Sequence, residues 1–278
     1  MSRSGPQVEL IAVDLDGTIV GRDRTVSARV RSALQACAQQ GIPVVVATAR
    51  RWVRTEALVA DLGLTGHCIV NGGGAVRLLP SGRLEVAVDL PRAVIAASVQ
   101  RMLAHGLQPI VAADHGELHL SGDARRDTPS VARYLARGTT RRVPAAELAA
   151  WPATRVFAMG PAARVHAAAR ACTGLGRLLV QDAIFSNHSG GERVLELHVM
   201  ARDKGGALHA LCTQLGITPG ATLVIGDAPS DLPMLEIAGI PVVMGQAEAG
   251  MKRRGFVVAP AVDDDGAAWA IERFALGG

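Results

Sequence analysis

Asp14 and Asp16, two residues apart in the run Asp14-Leu15-Asp16-Gly17-Thr18, are the side chains of this sequence best suited to covalent chemistry. They follow an apolar stretch, residues 8–13, that reads as a strand, so both acids fall at its carboxyl end, where open parallel sheets place their ligands. Gly17 permits the turn that curls Asp16 back over the same site. A pair so placed can divide its labour. One carboxylate stays ionised and attacks phosphorus, while the other gives a proton to the leaving oxygen and then takes one from water. Taken alone, the pattern also fits an Asp-Gly turn with an incidental first aspartate.

Three more segments point the same way. The second strand ends Val46-Ala47-Thr48-Ala49-Arg50, which sets a hydroxyl and the expected start of a helix beside the first loop. Backbone N–H groups at a helix N-terminus, with a threonine hydroxyl, suit phosphate oxygens, although Thr48 by itself fits a helix cap equally well. Gly226-Asp227-Ala228-Pro229-Ser230-Asp231 follows the strand expected at 221–225 and brings two more carboxylates to a strand end. Magnesium needs few protein oxygens and keeps several waters, so Asp14, Asp227 and a backbone carbonyl would suffice to hold it. Lys204 opens a helix, an unfavourable end for a cation unless local anions hold it there. Beside carboxylates and phosphate it would neutralise charge that develops during transfer; without them it would be a solvated surface lysine.

The elements around these residues follow a βαβ rhythm. Strand-like 8–13, helix-like 27–40, strand-like 43–47 and a helix through about 62 open the chain. Helix 204–215, strand 221–225, helix 232–238 and strand 240–243 resume the rhythm near its end. Between them 75–79 and 84–88 are joined by Pro80-Ser81-Gly82 in a hairpin-like connection, followed by helix-like 91–105 and 161–172 and strand-like 107–112, 154–159 and 177–180. The expected fold is α/β: a parallel-sheet core, Rossmann-like, from 1–80 and 191–278, carrying an inserted α+β domain over 81–190.

Composition narrows the class. The 278 residues are 49% hydrophobic, enough for one large or two modest cores. Lysine and arginine exceed aspartate and glutamate by 29 − 25 = 4, and the arginine-rich stretch from Arg125 to Arg142 fits a solvated face, so no nucleic acid partner is expected. Cys37, Cys68, Cys172 and Cys212 stand singly, as buried thiols of a reducing compartment do. The polar start 1–9 and the short apolar run after it suggest neither a signal peptide nor a membrane span, so the expected place is the cytoplasm, with no membrane partner. A monomer and a homodimer fit the composition alike.

Jointly, these four segments in this order resemble the haloacid dehalogenase superfamily, most closely its Cof-like branch of phosphatases with a large α/β cap. Asp14-Leu15-Asp16-Gly17-Thr18 matches the first family motif, Thr48 the second, Lys204-Gly205 the third, and Gly226-Asp227 with Asp231 the fourth. Asn71-Gly72-Gly73, Ser186-Asn187 and Asp265-Gly266 fall where this branch carries similar residues. The resemblance implies a Mg2+-dependent phosphatase acting on a small phosphorylated metabolite through an aspartyl-phosphate. Asp14 would be nucleophile and metal ligand, Asp16 general acid/base and carbonyl ligand, and Asp227 a metal ligand with Asp231 supporting the metal from behind. Thr48 and Lys204 would hold the transferring phosphoryl group, with Ala49, Asn71, Gly72 and His188 as further substrate contacts, and the inserted domain would select the leaving group. Ala49 stands where the family usually has glycine, and Ser230 where it usually has asparagine, with Pro229 stiffening that loop.

Other residues are set aside. His115 and His119 are four apart, but Gly116 and the strand-like 117–120 argue against one helical face and hence against a metal pair. Asp263-Asp264-Asp265 reads as a helix-capping run, and Gly72-Gly73-Gly74, which lacks a strand-turn-helix context, as a flexible turn. His188, Arg125 and Arg126 are candidate contacts for the substrate's remaining polar groups. Two other functions compete. A phosphomutase would return the group from Asp14 to a rotated intermediate, and a catalytically retired fold would bind phosphorylated ligands or a partner protein. The intact set Asp14, Asp16, Thr48, Lys204 and Asp227 argues against the second.

Overall fold

Strand Leu10–Val13 is buried at all four residues, the mark of a strand covered on both faces rather than one. In the structure, a computed structural model that describes residues 8–113, 117–136, 138–182 and 193–277, it lies at the centre of an eight-stranded sheet. The order is Val257–Val258, Ile240–Val243, Thr222–Gly226, Leu10–Val13, Val44–Ala47, Gly66–Val70, Ala75–Leu79, Arg83–Ala87. The first six run parallel and the seventh turns back antiparallel. Alternation along the central strands splits the core into two. Ile11, Val13, Val44 and Val46 pack with Val30 and Leu34 of helix Ala28–Gln39 and with Ala267 and Ile271 of helix Gly266–Ile271. Leu10, Ala12, Val45 and Ala47 pack with Leu208 and Leu211 of helix Lys204–Leu215. A parallel sheet sandwiched between helices is the α/β architecture expected.

This first compact unit runs to Val86 and resumes at Asp203; Ala87–Arg202 forms the second. The second unit's sheet has the order Arg177–Asp182, Val194–Met200, Arg155–Pro161, Ile110–Ala112, Leu118–Ser121, Thr140–Val143, antiparallel except for its last, parallel pair. Val156, Ala158, Leu195 and Leu197 pack with Ile95 and Met102 of helix Arg92–Ala104 and with Val165 of helix Ala162–Ala171. Ile110, Leu120 and Met159 pack on the other face with Val131 and Leu135 of helix Pro129–Leu135.

Several local expectations change. No α-helix starts at Ala49: a 3-10 turn forms at Trp52–Arg54 and the α-helix only at Glu56–Asp61. The intervening backbone is committed elsewhere, because Asn71 N–H donates to the Arg50 carbonyl and Gly72 N–H to that of Thr48. Asn71–Gly73 is a buried 3-10 turn, not a flexible one: a Cβ on Gly73, whose φ is +109°, would stand 2.2 Å from the Asp203 backbone. Asp265 precedes the last α-helix in a left-handed conformation and makes no side-chain cap. His119 is buried and stacks on Trp151, with ring centroids 4.1 Å apart. His115, Ser186, Asn187 and His188 lie outside the described residues. All four cysteines are buried free thiols, and among the described residues no helix is long and apolar enough to cross a membrane.

Candidate active site

Register brings the expected residues to one edge of the first sheet. Val13 pairs with Val46 on one side and Ile225 on the other, all parallel, so Asp14, Thr48 and Asp227 leave adjacent strands at the same carboxyl end. The central strand has its sequence neighbour on one side and a late strand on the other, which is the switch in strand order where such sheets open a crevice. The amide of Asp14 donates to the Ile225 carbonyl at 3.0 Å and fixes the first residue beyond the strand.

Lys204 is the hub. It is the first residue of its helix, capped by Asp203, and only 1% exposed. Its Nζ donates to Asp14 Oδ1 and to Asp231 Oδ1, each at 2.6 Å. Burial alone would lower its pKa, but Asp14 and then Asp231 outweigh that and hold it protonated above its ordinary value. The other Asp231 oxygen, Oδ2, accepts the amides of Asp227 at 2.9 Å and Ala228 at 3.0 Å. Both Asp231 oxygens are thus engaged, and this carboxylate braces Lys204 and the 227–231 loop. The bracing geometry forms with Pro229 and Ser230 in the 3-10 turn Pro229–Asp231.

The remaining carboxylates are under electrostatic pressure. Burial raises the Asp14 carboxyl well above the usual range, with Lys204 pulling against it and Asp231 and Asp227 adding to it. Burial, then Asp231, pushes Asp227 up to about 7. Asp14, Asp227 and Asp231 each present an oxygen within 4.8 Å of the others. Asp227 Oδ1 is buried with no hydrogen-bond partner among the described residues. Three carboxylates against one ammonium, all oxygen donors and one unsatisfied, fit a hard divalent cation such as magnesium. Gly17 lies against this cluster, where a Cβ would come within 2.1 Å of Asp227 Oδ2.

Asp16 is placed differently. Its carboxylate is half-exposed and grips Arg50, with Nε donating to Oδ2 at 2.7 Å and Nη2 to Oδ1. It stands outside the cluster of three, so any metal contact would fall to its carbonyl. Thr48 is buried and its Oγ1 accepts the Arg50 amide at 3.1 Å; the 3-10 turn Asn71–Gly73 is bonded to the same loop. Arg125 and Arg126 lie in the second unit, paired with Asp123.

Two participants escaped the sequence reading. Arg50 is one. Gln246 is the other: its Nε2 donates to the Gly17 carbonyl at 2.5 Å and to Asp227 Oδ2 at 3.3 Å, and its Oε1 accepts the Val262 amide at 3.0 Å. Gln246 follows strand Ile240–Val243 at its carboxyl end, the same positional rule that singled out Asp14, Thr48 and Asp227.

The chain is similar along nearly its whole length to known phosphatases. It is 29% identical to a phosphoglycolate phosphatase of Methanopyrus kandleri over 93% of this chain and 94% of that one. To the 5-amino-6-(5-phospho-D-ribitylamino)uracil phosphatase of Bacillus subtilis it is 23% identical over 97% and 99%. The crystal structure of a haloacid dehalogenase-like hydrolase from Bacteroides thetaiotaomicron superposes with a TM-score of 0.74 at 25% identity, covering 96% of this chain and 99% of the other. With residues 11–271 matching the family's sequence pattern as well, the chain belongs to the haloacid dehalogenase-like hydrolases and is a phosphoric monoester hydrolase.

Proposed function

We propose that this protein hydrolyses a small phosphate monoester, with magnesium bound, by way of an aspartyl-phosphate on Asp14. The observation that carries the reading is Lys204, buried and held between Asp14 and Asp231 at one sheet edge with Asp227 beside them. Lys204 holds Asp14 Oδ1, which leaves Oδ2 as the attacking atom. As the Asp14–phosphorus bond forms, the bond from phosphorus to the ester oxygen breaks and Asp16 gives that oxygen a proton. Asp16 then takes a proton from water, whose oxygen attacks phosphorus, releases inorganic phosphate and restores the Asp14 carboxylate. The Thr48 hydroxyl and Lys204 hold the phosphoryl oxygens, and Ala49, with the turn of Asn71 and Gly72 bonded to its loop, closes the phosphate side.

Asp14 and Asp227, with the Asp16 carbonyl, would hold the magnesium ion, which supplies neutralising charge to the phosphoryl oxygens. Asp231 contributes by holding Lys204 and the Asp227 backbone. Asp16 works only when its carboxylate is released from Arg50, so Arg50 is a positioning residue in this scheme. The inserted unit, with His188 among its residues, chooses the leaving group. The buried free thiols support a cytoplasmic setting.

The test is phosphate release from a panel of sugar phosphates, phosphorylated acids, nucleotides and an aryl phosphate, with magnesium or with chelator. Wild type should release phosphate only with magnesium, and Asp14→Asn should lose turnover by on the order of 10⁴-fold or more while remaining folded. Substantial hydrolysis by pure Asp14→Asn protein would refute the assignment. Release that requires a bisphosphate activator would identify a mutase instead.

A further inference from the structure

Part of the arginine-rich stretch that reads as a solvated face lines a recess of the second unit instead. The recess, of about 300 Å³, opens between the loop of residues 123–128, which follows strand Leu118–Ser121, and Gly106 with Arg164 of helix Ala162–Ala171. That volume stands at the lower end of small-molecule sites. Aspartate, arginine, threonine and glycine line it, with no apolar side chain among the described residues, so its occupant is polar.

Two aspartates there face more arginines than they can neutralise. Asp123 Oδ1 accepts from the Arg125 amide at 3.2 Å and from Arg125 Nε at 2.9 Å, and its Oδ2 stands 3.5 Å from Arg126 Nε. The bond from the Arg125 side chain holds the Asp123 carboxyl below its ordinary range, so it is charged. Asp127 is taken by Arg142, whose Nη2 donates to its Oδ2. Arg164 has no carboxylate among the described residues; its Nη1 donates to the Gly106 carbonyl at 3.5 Å, the limit of a hydrogen bond. Residue 106 gives this guanidinium room by being a glycine at φ +70°, where a Cβ would stand 3.2 Å from Nη1. Arg164 is also in the first turn of its helix, where the dipole disfavours a cation and no acidic residue offsets it.

Arg125, Arg126, Arg142 and Arg164 against Asp123 and Asp127 leave an excess of 4 − 2 = 2 positive charges around one polar recess. Guanidinium forks match phosphate oxygens in pairs, and a dianion cancels the excess where a single carboxylate would not. We propose that this recess binds a phosphate dianion, free or as the ester of a small metabolite, with Arg164 holding it and Arg125 and Arg126 completing its charge. The site is built from the second unit alone and uses none of Asp14, Asp16, Thr48, Lys204 and Asp227. It is therefore separate from the place where an ester would be cleaved, and it does not rest on the phosphatase reading.

The experiment has two arms on the full-length protein. In the first, inorganic phosphate and glycerol phosphate are titrated calorimetrically, each in chelator, so that no metal draws them toward Asp14 and Asp227. Arg164→Gln should weaken binding about tenfold, the worth of one charge-assisted hydrogen bond, and Arg164→Lys, which keeps the charge and loses the fork, by less. Arg164 is exposed, so neither change disturbs the packing. Thr48→Val should leave this binding as it is. Tighter binding of glycerol phosphate would make the ligand an ester, and binding of inorganic phosphate as tight or tighter would make it the free ion; either upholds the site. Binding that is absent in wild type, equal in wild type and Arg164→Gln, or lost in Thr48→Val would overturn it. In the second arm, kcat/KM for an aryl phosphate with magnesium should be the same in Arg164→Gln as in wild type. A fall matching the loss of phosphate binding would return Arg164 to the substrate's path and overturn a separate site. Arg164-dependent phosphate binding in a protein that hydrolyses no ester would uphold the site and sink the phosphatase reading.

Discussion

A lysine at a helix N-terminus is an electrostatic anomaly until its partners are counted. Lys204 faces two carboxylates at 2.6 Å, and without it the buried Asp14 and Asp231 carboxylates would confront each other with no cation between them. Lys204→Met should therefore lower stability by about 3 kcal/mol, read as a shifted urea midpoint, and abolish turnover besides. Gln246 works through its neighbours. Gln246→Leu, by freeing the Gly17 carbonyl and Asp227 Oδ2, should raise the magnesium needed for half-maximal rate about 10- to 100-fold; an unchanged requirement would remove Gln246 from the site. Asp14, Thr48, Lys204 and Asp227 stood out in the sequence because reactive types follow strand ends or open helices. Arg50 and Gln246 did not, since an arginine after a strand or a glutamine in a turn has many ordinary uses. Only the fold reveals that Arg50 meets Asp16 and that Gln246 meets Asp227.

Elements with one clean periodicity were readable, and those shaped by contacts distant in sequence were not. The helices expected at 91–105 and 161–172 form at Arg92–Ala104 and Ala162–Ala171. Val194–Met200 gave no strand signal, because Glu196 and His198 interrupt an otherwise apolar run and are buried all the same. The run Gly72-Gly73-Gly74 read as a flexible turn, yet Gly73 is pressed against the start of the Lys204 helix. Gly73→Ala should cost about 3 kcal/mol from the positive φ and the clash together, measurable by denaturant titration. The Glu196–His198 pair makes the second unit sensitive to acid. Burial raises Glu196, but its bonds from His198 and Gln181 prevail and hold it below its ordinary value, while burial depresses His198. Both shifts are downward, so the unfolded chain takes up protons first, and the stability these groups contribute is present above about pH 6.5 and lost as pH falls below it. His198→Gln should flatten that decline; an unaltered profile would place the acid sensitivity elsewhere.

At the scale of the whole molecule, the chain builds one unit from two separated segments and the other from a continuous stretch, each with its own apolar clusters. The continuous unit has a six-stranded sheet with helices on both faces, enough buried surface for a domain of its size to fold alone. A fragment of residues 87–202 should give a single cooperative thermal transition and dispersed amide resonances; a non-cooperative fragment would show that it depends on the rest of the chain. The change from a parallel to an antiparallel rhythm was visible in the sequence at the hairpin-like 75–88, whereas the return was obscured by the polar residues of Val194–Met200. The proposed chemistry turns on whether phosphorus is ever bonded to Asp14. Acid quench during turnover with magnesium, borohydride reduction and mass spectrometry of the peptide holding residues 10–18 would decide it. Homoserine is expected at position 14, formed by reduction of an aspartyl-phosphate; steady phosphate release with position 14 remaining aspartate throughout would contradict the covalent intermediate.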